Sequence, residues 1–288
     1  MTINDAHCHF FSTPFFAGLG GDAALAKLGW DAPGSAESLA DRWVAELDRH
    51  LVARTALIAS APGDAASVEA AVSRHRDRFV GFFMVDPTQP DAAVRASASI
   101  DRGGLRAICL FPAMHRFSIH DERVRRLFDV AAAKSGTAMF VHCGVLSVGV
   151  RKKLGLPSSF DIRFGNPLDL HALAISYPQV PIIIPHFGAG LFREALMVGD
   201  LCPNVLLDTS SSNGWIKYSG LTLSGVFRQA LEVVGPDRLL FGTDSSFFPR
   251  GWVSDVYEQQ SSALDELGVS AVLREKIFGG NFDRLFRR

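Results

Sequence analysis

Five side chains in this chain of 288 residues stand out for chemistry: His7 and His9 in Asp5-Ala6-His7-Cys8-His9, then His142, His186 and Asp244. Imidazole nitrogens and a carboxylate are the donors that suit a divalent cation, zinc first and manganese second. Such an ion activates water and polarises a carbonyl at neutral pH, and a further basic side chain beside it moves protons. A lone H-x-H pair is weak evidence, because a histidine at one strand end is more often a hydrogen-bonded core residue. The set is stronger. Burying several imidazoles and a carboxylate without partners costs several kcal/mol, roughly 2–7 for each unpaired polar group.

Those residues must be positioned by something, and the pattern around them says what. Short, mostly apolar runs lie near 3–6, 53–59, 79–85, 105–111, 137–142, 180–186, 204–208 and 238–244. They are apolar on both parities, as parallel strands covered on both faces are. Helical patterns separate them. Val124, Leu127, Phe128 and Ala131 follow Asp121 at helical spacing, and a second stretch after Leu221 is stopped by Gly235-Pro236. Eight repeats in this length give roughly 36 residues each, the size of a βα unit. The expected fold is α/β, a single (β/α)8 TIM barrel spanning 1–288, with a doubly wound open sheet as the alternative. The histidines and Asp244 end the first, fifth, sixth and eighth strands. In an extended strand His7 and His9 share a face and Cys8 points away.

Two long loops follow strands one and five, near 10–34 and 144–166. Loops on this side of a barrel usually set specificity. Phe11, Phe15, Phe247, Trp215 and Trp252 make the expected mouth aromatic, and Arg163 and Arg250 offer guanidinium groups to a carboxylate. The expected substrate is a small cyclic or aromatic acid, bound by Arg250, Arg163, Phe11 and Trp252. Arg151-Lys152-Lys153 reads as a solvated face. Ser210, Ser211 and Ser212, with Ser245 and Ser246, place hydroxyls near the site. No Gly-x-Ser-x-Gly elbow, P-loop or zinc-ribbon spacing occurs.

Composition narrows the function classes. Hydrophobic residues make up 48% and charged residues 20%, enough apolar surface to offset ordering entropy. The formal net charge of −1 leaves no basic footprint for nucleic acid or a membrane surface. The N-terminus shows no signal-peptide pattern, and the four cysteines lack metal or redox spacing. The expectation is a cytoplasmic enzyme with a small-molecule substrate, whose apolar outer helices leave room for a homodimer.

The order H-x-H, VHCG, PHFGAG, NVLLDTS, RLLFGTDSSFFP and GGNFDRLF resembles the amidohydrolase superfamily, more narrowly its aminocarboxymuconate-semialdehyde decarboxylase-like branch. The resemblance runs from Asp5 to Phe286. It implies one divalent metal ion, most often Zn2+, held by His7, His9, His142 and Asp244. It also implies His186 as the acid/base residue, with Asp244 both a ligand and a proton acceptor. Many superfamily members carry a carboxylated lysine after strand four that bridges two metals. Here that strand reads LRAICLFP, without lysine, which favours a single ion. Cys109 in that strand reads as a small buried hydrophobe. Two reactions share these residues: metal-dependent hydrolysis, taken as the first reading, and non-oxidative decarboxylation. A catalytically silent barrel is the outlying third.

Overall fold

The eight expected strands form one parallel sheet in sequence order in a computed structural model, which describes residues 1–218 and 220–287 and all side chains in them except those of Ser212 and Asn213. They are β1 (Ile3–Phe10), β2 (Val52–Ala59), β3 (Phe79–Met84), β4 (Ala107–Leu110), β5 (Ala138–Val141), β6 (Ile182–Ile184), β7 (Val205–Asp208) and β8 (Leu239–Leu240). The sheet closes where β1 meets the segment after β8. Ala6 N donates to the Phe241 carbonyl (2.7 Å), Asp244 N to that of His7 (2.9 Å) and His9 N to that of Ser245 (2.7 Å). Helices wrap the outside, as a barrel requires.

Strand parity divides the core in two. Ala56 and Ile58, Val80 and Phe82, Ala138 and Phe140, Ile183, Leu206 and Leu240 fill the barrel interior, and Phe282 and Phe286 join this cluster from the C-terminal helix. The alternate residues Leu57, Phe83, Ile108, Met139, Ile182, Leu207 and Leu239 pack outward in the larger helix-facing core. Both faces are therefore apolar, which is why the strands read as continuous runs. Expected helices appear at Glu122–Ala133, capped by the Asp121 carboxylate, and at Leu223–Val233, capped by the Thr222 hydroxyl.

β1 is longer than its apolar run suggested, because backbone pairing continues to Phe10 opposite Ala59. The register slips by one residue between Asp5 and Cys8. This bulge lets Ala6 join the interior cluster while the His7 ring also reaches it, 5.1 Å from Phe140. Cys8 faces the outer layer. Both long loops fold into short helices, Asp22–Leu28 and Gly149–Leu154. These meet in a third apolar cluster of their own, with Ala24, Val150 and Leu154 buried against Phe15, Leu19 and Trp30. Among the described residues, no helix is long and apolar enough to cross a membrane.

Candidate metal centre and active site

The inward parity of β5 and of the segment after β8 extends to His142 and Asp244. β6 is different: its inward residue is Ile183, so an extended continuation would turn His186 outward. The chain instead enters a left-handed turn, with φ of 56° at His186, 49° at Phe187 and 44° at Ala189. Asp244 is also left-handed, at φ 61°. Such conformations cost non-glycine residues about 1–2 kcal/mol each and persist only where the surroundings impose them. Two of the chemistry-bearing residues are thus held in conformations that local sequence does not favour. Gly242 is required for close approach: a Cβ there would lie 2.9 Å from the His7 Cβ, the Ser210 Cβ and Asp208 Oδ1.

The hydrogen bonds determine where the imidazole protons sit. His7 Nδ1 donates to Asp208 Oδ2 at 2.6 Å. The Ser60 hydroxyl donates to the Ile58 carbonyl (2.9 Å) and so accepts from His9 Nδ1 (2.7 Å). His186 Nδ1 donates to the Ser210 carbonyl (2.9 Å), and the Ser210 hydroxyl lies 2.9 Å from the Nδ1 atoms of both His7 and His186. Each ring therefore keeps a lone pair on Nε2. His7 Nε2 and His9 Nε2 face one another at 3.4 Å. Asp244 Oδ1 stands 3.6 Å from the first and 3.2 Å from the second. Three acceptors converging without a donor repel one another, and a cation between them removes that repulsion. Among the described residues, His7, His9 and Asp244 are the group whose ligand atoms lie close enough to share an ion. The donor set fits a divalent metal.

His142 reaches the same rim but stands beside that group. Its ring stacks on Phe111 (centroids 5.4 Å apart) and lies 5.1 Å from His186. Its Nδ1 is buried without a hydrogen-bond partner among the described residues. Among the described residues it is the one ring of the four whose Nδ1 has no hydrogen-bond partner to orient it.

Charge follows geometry. Burial opposes ionisation of Asp244, but the neighbouring imidazoles of His9, His7 and His186 outweigh it and hold the carboxyl far below the usual carboxylate range. Burial also opposes charge on His7, but Asp208, Asp244 and Asp5 outweigh it and raise its pKa. Burial lowers His9, His186 and, most strongly, His142, where His186 and His7 add to the effect. Burial pushes the Cys109 thiol well up, so Cys109 stays a neutral residue of the barrel interior. Asp5, fully buried and raised by burial, accepts from Thr243, the His7 backbone and Trp252 Nε1.

Above these groups opens a cavity of about 810 Å³ lined by His9, His142, His186 and Asp244. Phe11 lines it, stacked on Phe15 at 3.9 Å. Trp30 and Phe247 form a parallel stack with centroids 3.6 Å apart. Arg250 lines it too, donating to the Asp244 carbonyl (3.2 Å) and the Ser246 hydroxyl (2.8 Å).

Two expected substrate residues are elsewhere. Arg163 is 84% exposed and does not line the cavity. The Asp161 carboxylate caps the turn at Ile162–Phe164 and draws the guanidinium back to itself (2.6 Å). Trp252 is buried, and its indole N–H donates to Asp5 Oδ2 at 2.7 Å, so it is a structural residue. The Arg151–Lys153 run is not simply a solvated face, because Arg151 and Lys153 line the cavity. Ser210 and Ser245 are buried beside the site, whereas the Ser212 side chain lies outside the described residues. The sequence reading gave no role to Asp208 or Ser60. The available signal for Asp208 was a carboxylate at a strand end with inward parity, as at Asp244. Ser60 carried none.

Comparisons with known proteins agree with this architecture. A family model described as Amidohydrolase matches residues 5–288. Protein fluG of Emericella nidulans is 32% identical over 193 residues, 65% of this chain and 21% of that protein, so the chain spans about a fifth of that relative's length. A 5-carboxyvanillate decarboxylase from Novosphingobium aromaticivorans, complexed with manganese and 4-hydroxy-3-methoxy-5-nitrobenzoic acid, has 16% identity and a TM-score of 0.66 over 100% of this chain and 96% of that one. A probable 2-pyrone-4,6-dicarboxylic acid hydrolase from Acinetobacter baumannii, with citric acid bound, has 15% identity and a TM-score of 0.62 over 99% of both chains.

Proposed function

This chain belongs to the amidohydrolase family, and from that premise we propose that it is a metal-dependent hydrolase of a small cyclic or aromatic substrate bearing a carboxylate. The observation that carries the reading is the proton arrangement. Three lone-pair donors, His7 Nε2, His9 Nε2 and Asp244 Oδ1, converge beside a neutral His186 whose Nδ1 proton is committed to the Ser210 carbonyl. His7, His9 and Asp244 would hold the ion, with His142 the fourth donor at the rim. Zinc fits this nitrogen-rich set, and manganese is the alternative. When bound, the ion supplies Lewis-acid stabilisation of negative charge that develops on a substrate oxygen.

The remaining chemistry belongs to the chain's own groups. His186 Nε2, lining the cavity, takes a proton from water as the water oxygen adds to the substrate carbonyl carbon. The C–O or C–N bond then breaks, and the leaving atom receives that proton. Asp244, ionised, is the second proton acceptor at the site. Asp208 and Ser60 keep the His7 and His9 rings in the tautomers that leave both Nε2 atoms free. Arg250 offers its guanidinium to the substrate carboxylate, and the Trp30–Phe247 stack offers an apolar wall to a flat ring.

Non-oxidative decarboxylation is the second reading. The same fold in a manganese-bound carboxyvanillate decarboxylase and the aromatic walls favour it. In that case His186 or Asp244, having first taken up a proton from solvent, would deliver it to the ring carbon as the bond to the carboxylate breaks and carbon dioxide leaves. Incubating the metal-loaded protein with lactones and aromatic carboxylic acids separates the two. Ring-opened acid without carbon dioxide is the expected outcome. Release of carbon dioxide would replace hydrolase with carboxy-lyase. Retained metal with no turnover across the panel would overturn both.

A further inference from the structure

Among the described residues the cavity is lined by four cationic side chains, Arg151, Lys153, Lys217 and Arg250, and by one carboxylate, that of Asp244. Asp244 is already engaged with His7 and His9. Arg151 is spent on its own loop, donating from Nε and Nη2 to the Pro157 carbonyl. Arg250 and Lys153 differ from it. They come from loops about 100 residues apart in sequence yet converge on one ring, with Arg250 Cζ 4.6 Å and Lys153 Nζ 5.7 Å from the Phe247 centroid. Lys153 Nζ is also 5.5 Å from the Trp30 centroid.

Lys153 is placed by the structure beneath it. Its helix, Gly149–Leu154, buries Val150 and Leu154 in the cluster shared with the first loop, and Lys27 Nζ donates to the Leu154 carbonyl at 2.8 Å. Arg250 already feels the Asp244 carboxylate, whereas Lys153 has no ion pair among the described residues. Two like charges held on one aromatic stack repel one another, and an anion beside Lys153 reverses that term.

Building on the carboxylate-bearing substrate of the preceding reading, we propose that Lys153 is a specificity-determining residue that binds a second carboxylate, so that the preferred substrate is a planar dianion. Arg250, tied to the Asp244 backbone, addresses the carboxylate nearer the reacting carbon. Lys153 addresses the farther one, with the ring between them against Trp30 and Phe247. Lysine suits the distal role as a compact charge on a flexible stem, which accepts several carboxylate placements.

The test uses benzoate and isophthalate, titrated separately into the purified chain and followed by ligand-observed NMR. Wild type is expected to bind isophthalate about tenfold more tightly than benzoate, the scale of one charge-assisted contact. Lys153→Met, which keeps an apolar stem against Trp30, should remove that preference and leave benzoate affinity unchanged, and Lys153→Arg should restore most of it. Equal affinity for the two acids in wild type, or a preference that survives in Lys153→Met, overturns the proposal. Binding of neither acid overturns it together with the carboxylate reading. A Lys153-dependent preference without turnover of any carboxylic acid overturns only the hydrolase reading.

Discussion

The strand-end cluster and the loop-built mouth above it are held by different forces. His7, His9 and His186 each have one ring nitrogen engaged by a group from another strand end or its adjoining loop, and Asp208 and Ser210 are fully buried. The mouth is held by aromatic stacking and by a small apolar cluster between two loops. Directional hydrogen bonds in a buried setting define angles, whereas stacking and apolar contact tolerate sliding. The contrast suits a reaction whose atoms must be placed within a fraction of an ångström, beneath a recognition surface that can vary without disturbing it.

Substitutions can break or sharpen that contrast. The largest effect is expected from Asp244→Ala, which removes the carboxylate from the three-donor group. Turnover should fall by about a thousandfold or more, with weakened metal retention measured by elemental analysis after dialysis. His186→Asn should lower kcat by about 10²–10⁴-fold while close to one metal equivalent per chain remains. Loss of metal in that variant would mean that the roles of His186 and His142 are exchanged. Asp208→Asn keeps the shape of the contact but removes the charge that orients His7. Metal affinity should fall by about 10–100-fold with little change in substrate KM. A change confined to KM would place Asp208 with the mouth and not with the cluster.

The smallest effects separate buried from exposed neighbours. Trp252→Phe leaves the buried Asp5 carboxylate short of one donor and should cost about 1–3 kcal/mol in denaturant unfolding. Arg163→Ala, on a solvent-screened exposed pair with Asp161, should leave both the denaturant midpoint and turnover unaltered. A KM effect in Arg163→Ala would return that arginine to the substrate side.

The same division explains what could be read without coordinates. Strand parity is a local property, so His142 and Asp244 could be placed inward from the apolar residues preceding them on their own strands. Arg163 and Trp252 could not be placed in this way. Both are loop residues whose direction was set by a carboxylate, Asp161 two residues away for one and Asp5 at the other end of the chain for the other. Ser60 had no distinguishing pattern, because its role depends only on where the His9 ring comes to rest.

The sequence by itself determined the eight-fold alternation of strands and helices and the strand ends that carry imidazole and carboxylate groups, since hydrophobic periodicity and side-chain type need no long-range information. Tertiary structure alone decided which nitrogen of each ring keeps its lone pair, how a left-handed turn brings His186 inward, and that Lys153 arrives over the mouth. Those features rest on contacts such as His7 with Asp208, 201 residues apart, and on backbone conformations imposed against local preference. No window along the chain contains both partners.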